Sequence, residues 1–212
     1  MFIFEIIQIV QSAGVGTYNA NIFGSSKASI PVGDGPFLSV IETGGQTPQR
    51  THNHISLPAV QRPSAQILAR AKNYAAAMIM ARAAYNALVG IRNQYVTGLA
   101  LAVTSITRAG DVATVTTTNP HGLFSGTRVV IAGATQTEYN GTFENIIVTG
   151  ASTFTYIVVG TPASPATGTP LTAKPSTFYQ EIEPIQEPQD LQSDSAGRAQ
   201  VGFNIRTKKQ PS

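Results

Sequence analysis

The sequence predicts an α+β domain, an antiparallel sheet with helices packed on one face, interrupted by an inserted all-β sandwich. Residues 99–174 are rich in Thr, Val, Ala and Gly, with turn signals about every ten residues, which is typical of short strands. The flanks differ, because the first carries helical periodicity and the last alternates Val201, Phe203 and Ile205 with polar residues. We therefore place the discontinuous domain at residues 1–97 plus 175–212 and the insert at residues 98–174.

The first ten residues predict a short amphipathic helix. Ile3, Ile6, Ile7 and Val10 fall on one helical face, and a buried strand is the competing interpretation. We do not interpret this run as a signal peptide, because no basic region precedes it and polar residues interrupt it. Elsewhere no stretch reaches the roughly eighteen apolar residues that a membrane span requires.

Turn chemistry divides the next forty or so residues into short elements, since Gly supplies positive φ and Pro restricts φ. The pattern predicts, in order, a strand at 22–23, a turn at 31–36, a strand at 37–41, a loop at 44–48 and a strand at 51–57.

A long helix is predicted from Pro63 to about Leu88. Apolar residues recur at alternating spacings of four and three from Ile67 through Tyr74 to Leu88, which gives one continuous apolar stripe. Proline suits the first helical turn, where its missing N–H is not needed. The many alanines favour helix and allow close packing, so we expect this helix to cover the sheet.

The C-terminal flank predicts a further hairpin. One arm is residues 178–185 and the other is residues 198–206, with a turn at residues 194–197 before the second arm. Apolar and polar residues alternate in the second arm with the period of a half-buried strand.

Within the insert, about six short strands are predicted. The cores of five of them are residues 102–106, 112–116, 129–131, 146–148 and 154–159, and a hairpin signal lies at 139–141. This module resembles the immunoglobulin-like modules that recur as insertions in phage structural proteins, although it lacks the Cys and Trp of antibody domains.

Composition excludes several classes of protein. The 212 residues contain no cysteine, so disulfides, thiolate catalysis and cysteine-bound metal are ruled out. Only 12% of residues are charged, about half the usual share, which suits a surface covered by neighbours. The net charge of +3 is a weak signal for nucleic acid.

Charge is segregated along the chain. No acid lies between Glu42 and Asp111, whereas five acids crowd residues 181–194. The bases in the acid-free stretch are Arg50, Arg62, Arg70, Lys72, Arg82, Arg92 and Arg108. Such patches can meet within the fold or between copies in a ring, and two solvated faces are an equally good interpretation.

Catalytic motifs are missing from the sequence. His52 and His54 could ligate a metal from one strand face, but His121 is the only other histidine and lies in the insert. Glu181 and Glu183 could form an acid–base pair, and an exposed pair without a catalytic role is the preferred interpretation. We therefore expect no enzyme, no metal and no cofactor.

Nucleic-acid recognition has little support in the sequence. Arg70, Lys72 and Arg82 do not share one face of the predicted helix, and no aromatic platform accompanies them. The expectation is at most transient, non-specific contact with genomic DNA.

Six stretches of the two flanks are informative through their order and spacing. They are residues 30–37 (IPVGDGPF), 42–45 (ETGG), 51–53 (THN), 62–67 (RPSAQI), 194–198 (DSAGR) and 203–205 (FNI). Through these stretches, the flanks (residues 1–97 and 175–212) resemble the minor capsid or tail-terminator proteins of long, flexible-tailed bacteriophages.

The resemblance implies an α+β subunit of a ring, expected to be a hexamer, located in the virion at the head–tail interface after assembly in the host cytoplasm. The ring would cap the tail tube, stop its polymerisation and join the tail to the head connector or stopper protein. The residues we expect at the subunit or tube interface are Glu42, Arg50, Asp194 and Arg198. A tail-tube or other tail-completion protein remains an alternative, as does a surface-binding module that acts through the β insert.

Overall fold

The computed structural model describes residues 2–25, 30–49 and 60–210. The chain divides into two compact units, which are called here the first unit (Met1–Val96 with Phe178–Pro211) and the second unit (Thr97–Thr177). The predicted strand at 51–57, with His52 and His54, lies outside the described residues, and so does Arg50.

The fold is mostly sheet, with two α-helices in the described part of the chain. The elements are α1 Phe2–Ser12, β1 Ile22–Ser25, β2 Phe37–Gln49, β3 Val60–Ala71, α2 Tyr74–Leu88, β4 Arg92–Thr97, β5 Leu101–Ala109, β6 Val112–Thr117, β7 Arg128–Ala132, β8 Gly141–Phe143, β9 Ile147–Gly150, β10 Thr153–Ile157, β11 Thr172–Pro184, β12 Gln189–Ser193 and β13 Ala199–Lys209. A 3₁₀ turn occupies Thr137–Tyr139.

In the first unit, a mixed sheet has the strand order β1-β2-β3-β13-β11. Strand β1 pairs with β2 in parallel, whereas the pairings of β2 with β3, β3 with β13 and β13 with β11 are antiparallel. Helix α2 packs on β3 and β13, and α1 packs on β1 and β2. The buried side chains between helices and sheet include Ile6, Val10, Leu38, Val40, Ile67, Leu88, Phe203 and Ile205.

The predicted N-terminal helix is confirmed as α1. Ile3, Ile6, Ile7 and Val10 are buried along one face, as the spacing requires. On β1, Gly24 allows the helix to approach closely, because a Cβ at this position would lie 2.3 Å from the Cδ1 atom of Ile7. The competing interpretation of this segment as a strand is wrong.

The prediction of one helix from Pro63 is wrong for its first third. Residues from Val60 to Ala71 form β3, and the helix begins only at Tyr74. Asn73 marks the true start, because its side chain accepts a hydrogen bond from the backbone N–H of Ala76 at 2.9 Å. Strands β2 and β13 pair with β3 on both sides, so sheet pairing outweighs the helical propensity of the alanines.

The predicted loop at 44–48 is also wrong, since β2 continues to Gln49. Gly44 and Gly45 have φ values of 91° and 148°, and the pairing with β3 shifts between Glu42 and Gly44. These glycines form a bulge rather than a turn. A Cβ at Gly45 would lie 2.2 Å from the carbonyl oxygen of Arg62, so the two strands approach closely here.

The alternating pattern at the C-terminus is confirmed as β13. Val201, Phe203 and Ile205 are buried, and the predicted turn at residues 194–197 precedes the strand. Phe203 makes an edge-to-face contact with Tyr85 of α2, with ring centroids 5.5 Å apart. The alternating side chains thus bind the helix to the sheet.

The second unit is built from strands, as predicted for this part of the chain. Strands β5, β6, β10 and β9 pair in that order, and β8 pairs with β7, which pairs with the first part of β11. Both groups contribute to one hydrophobic cluster that includes Ile106, Val115, Val129, Ile131, Tyr139, Phe154 and Tyr156. The unit therefore has its own core.

Candidate functional site

Two of the predicted interface residues, Asp194 and Arg198, lie together at the turn before β13. The Oδ1 atom of Asp194 accepts hydrogen bonds from the backbone N–H groups of Ala196 and Arg198, both at 3.0 Å. Its Oδ2 atom accepts from Nε of Arg198 at 2.8 Å, and Nη2 of the same side chain is also 2.8 Å away. The carboxylate therefore shapes the turn and holds the guanidinium in a forked arrangement.

These groups hold a second loop, residues 30–36, which we call the braced loop. Arg198 donates through Nη1 to the carbonyl oxygen of Gly33 at 2.9 Å. Arg70, which is buried on β3, donates through Nη2 to the carbonyl oxygens of Pro31 and Gly33. Its Nη1 atom lies 3.8 Å from Oδ2 of Asp194, so one carboxylate and two guanidinium groups fix the loop.

Backbone geometry adds to the bracing. Gly35 has a φ of 76°, and a Cβ there would lie 2.5 Å from the carbonyl oxygen of Arg70, so only glycine fits. The ring of Phe37 packs against the guanidinium of Arg70, 5.6 Å from centroid to Cζ. At the tip, the side chain of Val32 is 100% exposed. The loop thus presents an apolar side chain on a fixed backbone.

The electrostatics of the cluster follow from burial and pairing. Desolvation by burial, and then the charge of Arg198, lower the pKa of Arg70. The hydrogen bond from the Arg198 side chain, with those from the backbone of Arg198 and Ala196, holds the pKa of Asp194 below its ordinary value of 3.8. The cluster is therefore stable as long as Asp194 is ionised.

In the Asp194→Asn variant, the free energy of unfolding is expected to fall less steeply than in the wild type as the pH is lowered. Because the folded-state pKa of Asp194 is below its unfolded value, its contribution is present above the unfolded pKa and is lost as pH falls through the folded pKa. In that window the variant should take up fewer protons on unfolding than the wild type, by at most one. Denaturant unfolding between neutral pH and about pH 3 measures this difference.

Asp190→Asn is the matched control for this experiment, since Asp190 is exposed and has no arginine partner among the residues that the structure describes. A profile for Asp194→Asn that runs parallel to the wild type would contradict the assigned role of the carboxylate.

The other two predicted interface residues do not join this cluster. Glu42 is exposed on β2 and lies opposite Ala65, which in turn lies opposite Ile205 of β13. The turn at Asp194 adjoins the other end of β13, roughly 20 Å away at about 3.3 Å per residue. Arg50 lies outside the described residues.

The segregated charges meet within the first unit. Three of the predicted bases form ion pairs with the acidic stretch: Arg70 with Asp194, Arg82 with Glu187 at 2.9 Å, and Arg92 with Glu181 at 3.2 Å. The sequence left open whether these charges pair within the fold or between copies, or are simply solvated. For these three arginines, the structure shows pairing within the fold.

A buried polar cluster was not found from the sequence. Glu5 on α1 accepts hydrogen bonds through Oε2 from the hydroxyl of Tyr179 and from Nζ of Lys209, the latter at 3.0 Å. Burial, and then the Glu5 carboxylate, raise the pKa of Tyr179 well above its ordinary value, which keeps its hydroxyl a donor. The sequence signal that could have revealed this cluster is Glu5, an acidic residue within the apolar face of the predicted N-terminal helix.

His121, the one histidine that the structure describes, has a structural role. Its Nδ1 atom accepts from the backbone N–H of Leu123 at 2.9 Å, and its ring contacts Phe154 edge-on. Within residues 2–25, 30–49 and 60–210, no group of three or more His, Cys, Asp or Glu side chains is arranged to hold a metal ion.

Comparison with known proteins does not assign the chain to a family. The chain matches no family model and no curated protein. Neither α1 nor α2, nor any other helix in the described part of the chain, is long and apolar enough to cross a membrane.

Proposed function

We propose that this chain is a structural protein of a bacteriophage virion that forms a ring at the end of the tail tube. The ring, expected to be a hexamer, ends polymerisation of the tube and joins the tail to the head connector. The proposal rests on the ordered resemblance of residues 1–97 and 175–212 to tail terminators. One observation on the molecule supports it most directly, the exposed outer part of β2.

The outer part of β2, residues 42–49, is called here the β2 arm. Every one of its residues is exposed. Strand β1 pairs only with Leu38 to Ile41, so the outer edge of the β2 arm has no strand partner in the described part of the chain. The other neighbour, β3, is already flanked by β13. Among the described residues, the backbone N–H and C=O groups on this edge are therefore available to another chain.

In a ring, the copies contact one another head to tail, so one surface of each copy meets a different surface of the next copy. The edge of the β2 arm therefore needs a second, different surface as its partner. The braced loop supplies a candidate for that surface. Its backbone is held by Arg70 and Arg198, so little conformational entropy is lost when Val32 packs against a neighbour.

The finer features of the fold belong to the same proposal. We infer that both helices cover one face of the first-unit sheet, since α1 and α2 also contact each other. We infer too that the second unit is an immunoglobulin-like sandwich, because its two groups of strands share one core. In this proposal the second unit takes no part in ring formation.

Thr47→Lys is expected to prevent ring formation, because a lysine on the exposed β2 arm opposes pairing of the free edge with another chain. Ala83→Lys, on the exposed surface of α2, adds the same charge elsewhere and should leave assembly unchanged. The measurement is the solution mass of each protein, with negative-stain images of the same fractions.

Closed rings of uniform size for the wild type and for Ala83→Lys, with loss of rings for Thr47→Lys, are the expected result. Rings that persist at full yield in Thr47→Lys would remove the β2 arm from the interface. Open-ended tubes formed by the wild type would instead favour a tail-tube protein.

A second function, binding to an external surface through the second unit, is favoured by an apolar patch there. Ile147 and Ile157 are more than half exposed, and they border a cleft of about 240 Å³ that Phe143 and Tyr156 also line. Attachment to host cells by a variant that remains monomeric would support this function over the ring.

A further inference from the structure

We propose that the first unit holds a binding site for a phosphate group, in a cleft between the β2 arm and the end of β13. This goes beyond the proposed function and does not depend on ring formation. The cleft has a volume of about 220 Å³ and is lined by Gln46, Arg62, Glu181, Arg206, Thr207 and Lys208. Three of these six side chains are cationic, and they come from two neighbouring strands.

Strand register brings the cations together. On β3 and β13, which pair directly, Arg206 lies opposite Ser64 and Lys209 lies opposite Gln61. Arg62 therefore falls between these pairs, close to Arg206 and Lys208 of the neighbouring strand. Side chains alternate between the two faces of a strand, so Arg206 and Lys208 point away from the face on which Ile205 and Lys209 are buried. Arg62 points to the same face as Arg206 and Lys208, so the three cations share one face.

The charges at the cleft are not balanced. Glu181 accepts from Lys208 at 3.0 Å and lies 3.2 Å from Arg92, and Glu183 accepts from Arg206 at 2.6 Å. These two carboxylates thus face Arg206, Lys208 and Arg92, the last of which, like Glu183, borders the cleft without lining it. Adding Arg62 gives four positive charges against two negative ones, an excess of two.

Arg62 is the cation that these carboxylates do not neutralise. Its one side-chain hydrogen bond in the described part of the chain is from Nη1 to Oε1 of Gln46, at 3.3 Å. Its Nε atom is buried and has no hydrogen-bond partner there. A guanidinium that no described carboxylate neutralises, held beside two other cations, fits an oxyanion with several acceptor oxygens.

The field of the cluster also acts on its carboxylates. The hydrogen bond from Arg206, with the charges of Arg206, Lys208 and Arg92, lowers the pKa of Glu183. These contacts favour the charged form of the Glu183 carboxylate beside the cleft.

An excess of two charges favours a phosphate group over a single carboxylate. A phosphate monoester carries close to two negative charges near neutral pH, and its oxygens can accept from donors that converge from different directions. Two adjacent phosphodiesters of a nucleic-acid backbone supply the same charge and the same acceptors. The shared chemistry is thus the phosphate group, free or within a nucleic acid.

The test measures binding of four probes to the full-length protein in low-salt buffer. Inorganic phosphate and pyrophosphate represent the free group, a short labelled oligothymidylate represents the nucleic-acid backbone, and a polyglutamate peptide represents carboxylate partners. Arg62→Gln should weaken the binding of phosphate probes by about tenfold, the loss expected for one charge-assisted contact.

Arg82→Gln is the matched control, because Arg82 forms an exposed ion pair with Glu187 away from the cleft. It removes the same charge and should change affinity by about twofold or less. Arg62→Lys, which keeps the charge and loses the forked donors, should fall between wild type and Arg62→Gln. If the oligonucleotide binds, its salt slope should fall by about one in Arg62→Gln.

Tight binding of pyrophosphate alone would identify a free phosphate compound as the ligand, and competition by the oligonucleotide would identify a nucleic acid. Three results would overturn the proposal: no binding of any phosphate probe, equal weakening by Arg62→Gln and Arg82→Gln, or tighter binding of polyglutamate than of every phosphate probe. Ring formation is measured separately with the Thr47→Lys variant, so failure of one proposal leaves the other standing.

Discussion

Replacing Lys209 by Met is expected to lower the free energy of unfolding by about 3–5 kcal/mol, the usual cost of removing one partner from a buried ion pair. The Nζ atom of Lys209 lies 3.0 Å from Oε2 of Glu5, and both side chains are no more than 2% exposed. The same ammonium faces the ring of Tyr179, 5.7 Å from its centroid. Methionine has a similar length but removes the charge that offsets the buried carboxylate.

Lys208→Met is the matched control for that experiment. Lys208 is the preceding residue, points to the other face of β13, and pairs with Glu181 at the surface with 45% of its side chain exposed. An exposed pair contributes about 0–1 kcal/mol, so denaturant unfolding should separate the two lysine variants clearly. Equal losses would show that the Glu5–Lys209 pair is not the source.

The double variant Glu5→Gln with Lys209→Met tests the mechanism further. Removing both charges leaves no uncompensated ion in the core, so part of the lost stability should return. Additive losses in the double variant would contradict the assigned coupling between the first helix and the last strand.

Phe154→Ala is expected to destabilise the second unit by about 3–5 kcal/mol, as is typical when a large aromatic side chain is truncated in a core. Phe154 on β10 is fully buried in the cluster that unites both groups of strands. Its ring also contacts His121, so the loss includes this edge-on contact.

Phe124→Ala is the control, since Phe124 belongs to the same unit but is 65% exposed. Its truncation should cost less than about 1 kcal/mol. Amide hydrogen exchange at β6 and β10 reports on the second unit itself, which matters because a chain of two compact units need not unfold in one step. Similar protection in both variants would contradict the placement of Phe154 in this core.

Local sequence patterns were sufficient to predict an element when the spacing of apolar residues within that element determines which side chains are buried. The spacing of Ile3, Ile6, Ile7 and Val10 predicted α1, and the alternation of Val201, Phe203 and Ile205 predicted β13. In both cases the period of the apolar side chains matches the geometry of the element that buries them. The turn at Asp194 was predictable for the same reason, since its side chain acts on backbone groups within four residues.

Patterns failed where the partner is distant in sequence. The apolar pattern of residues 63–71 is compatible with a helix as well as with a strand. These residues form a strand because they pair with β2 and with β13, which is more than a hundred residues away in the sequence. The sequence predicts a loop at residues 44–48, within the β2 arm, because glycines in a bulge and glycines in a turn have the same local signature.

The sequence by itself determined that the chain has two differently built parts, a cysteine-free composition, and acids and bases set apart along its length. Only the tertiary structure decided which charges meet: Arg70 with Asp194, Glu5 with Lys209, and Arg62 with no carboxylate in the described part of the chain. The physical reason is that charge pairing depends on distance in space, and strand register sets those distances between residues far apart in the chain.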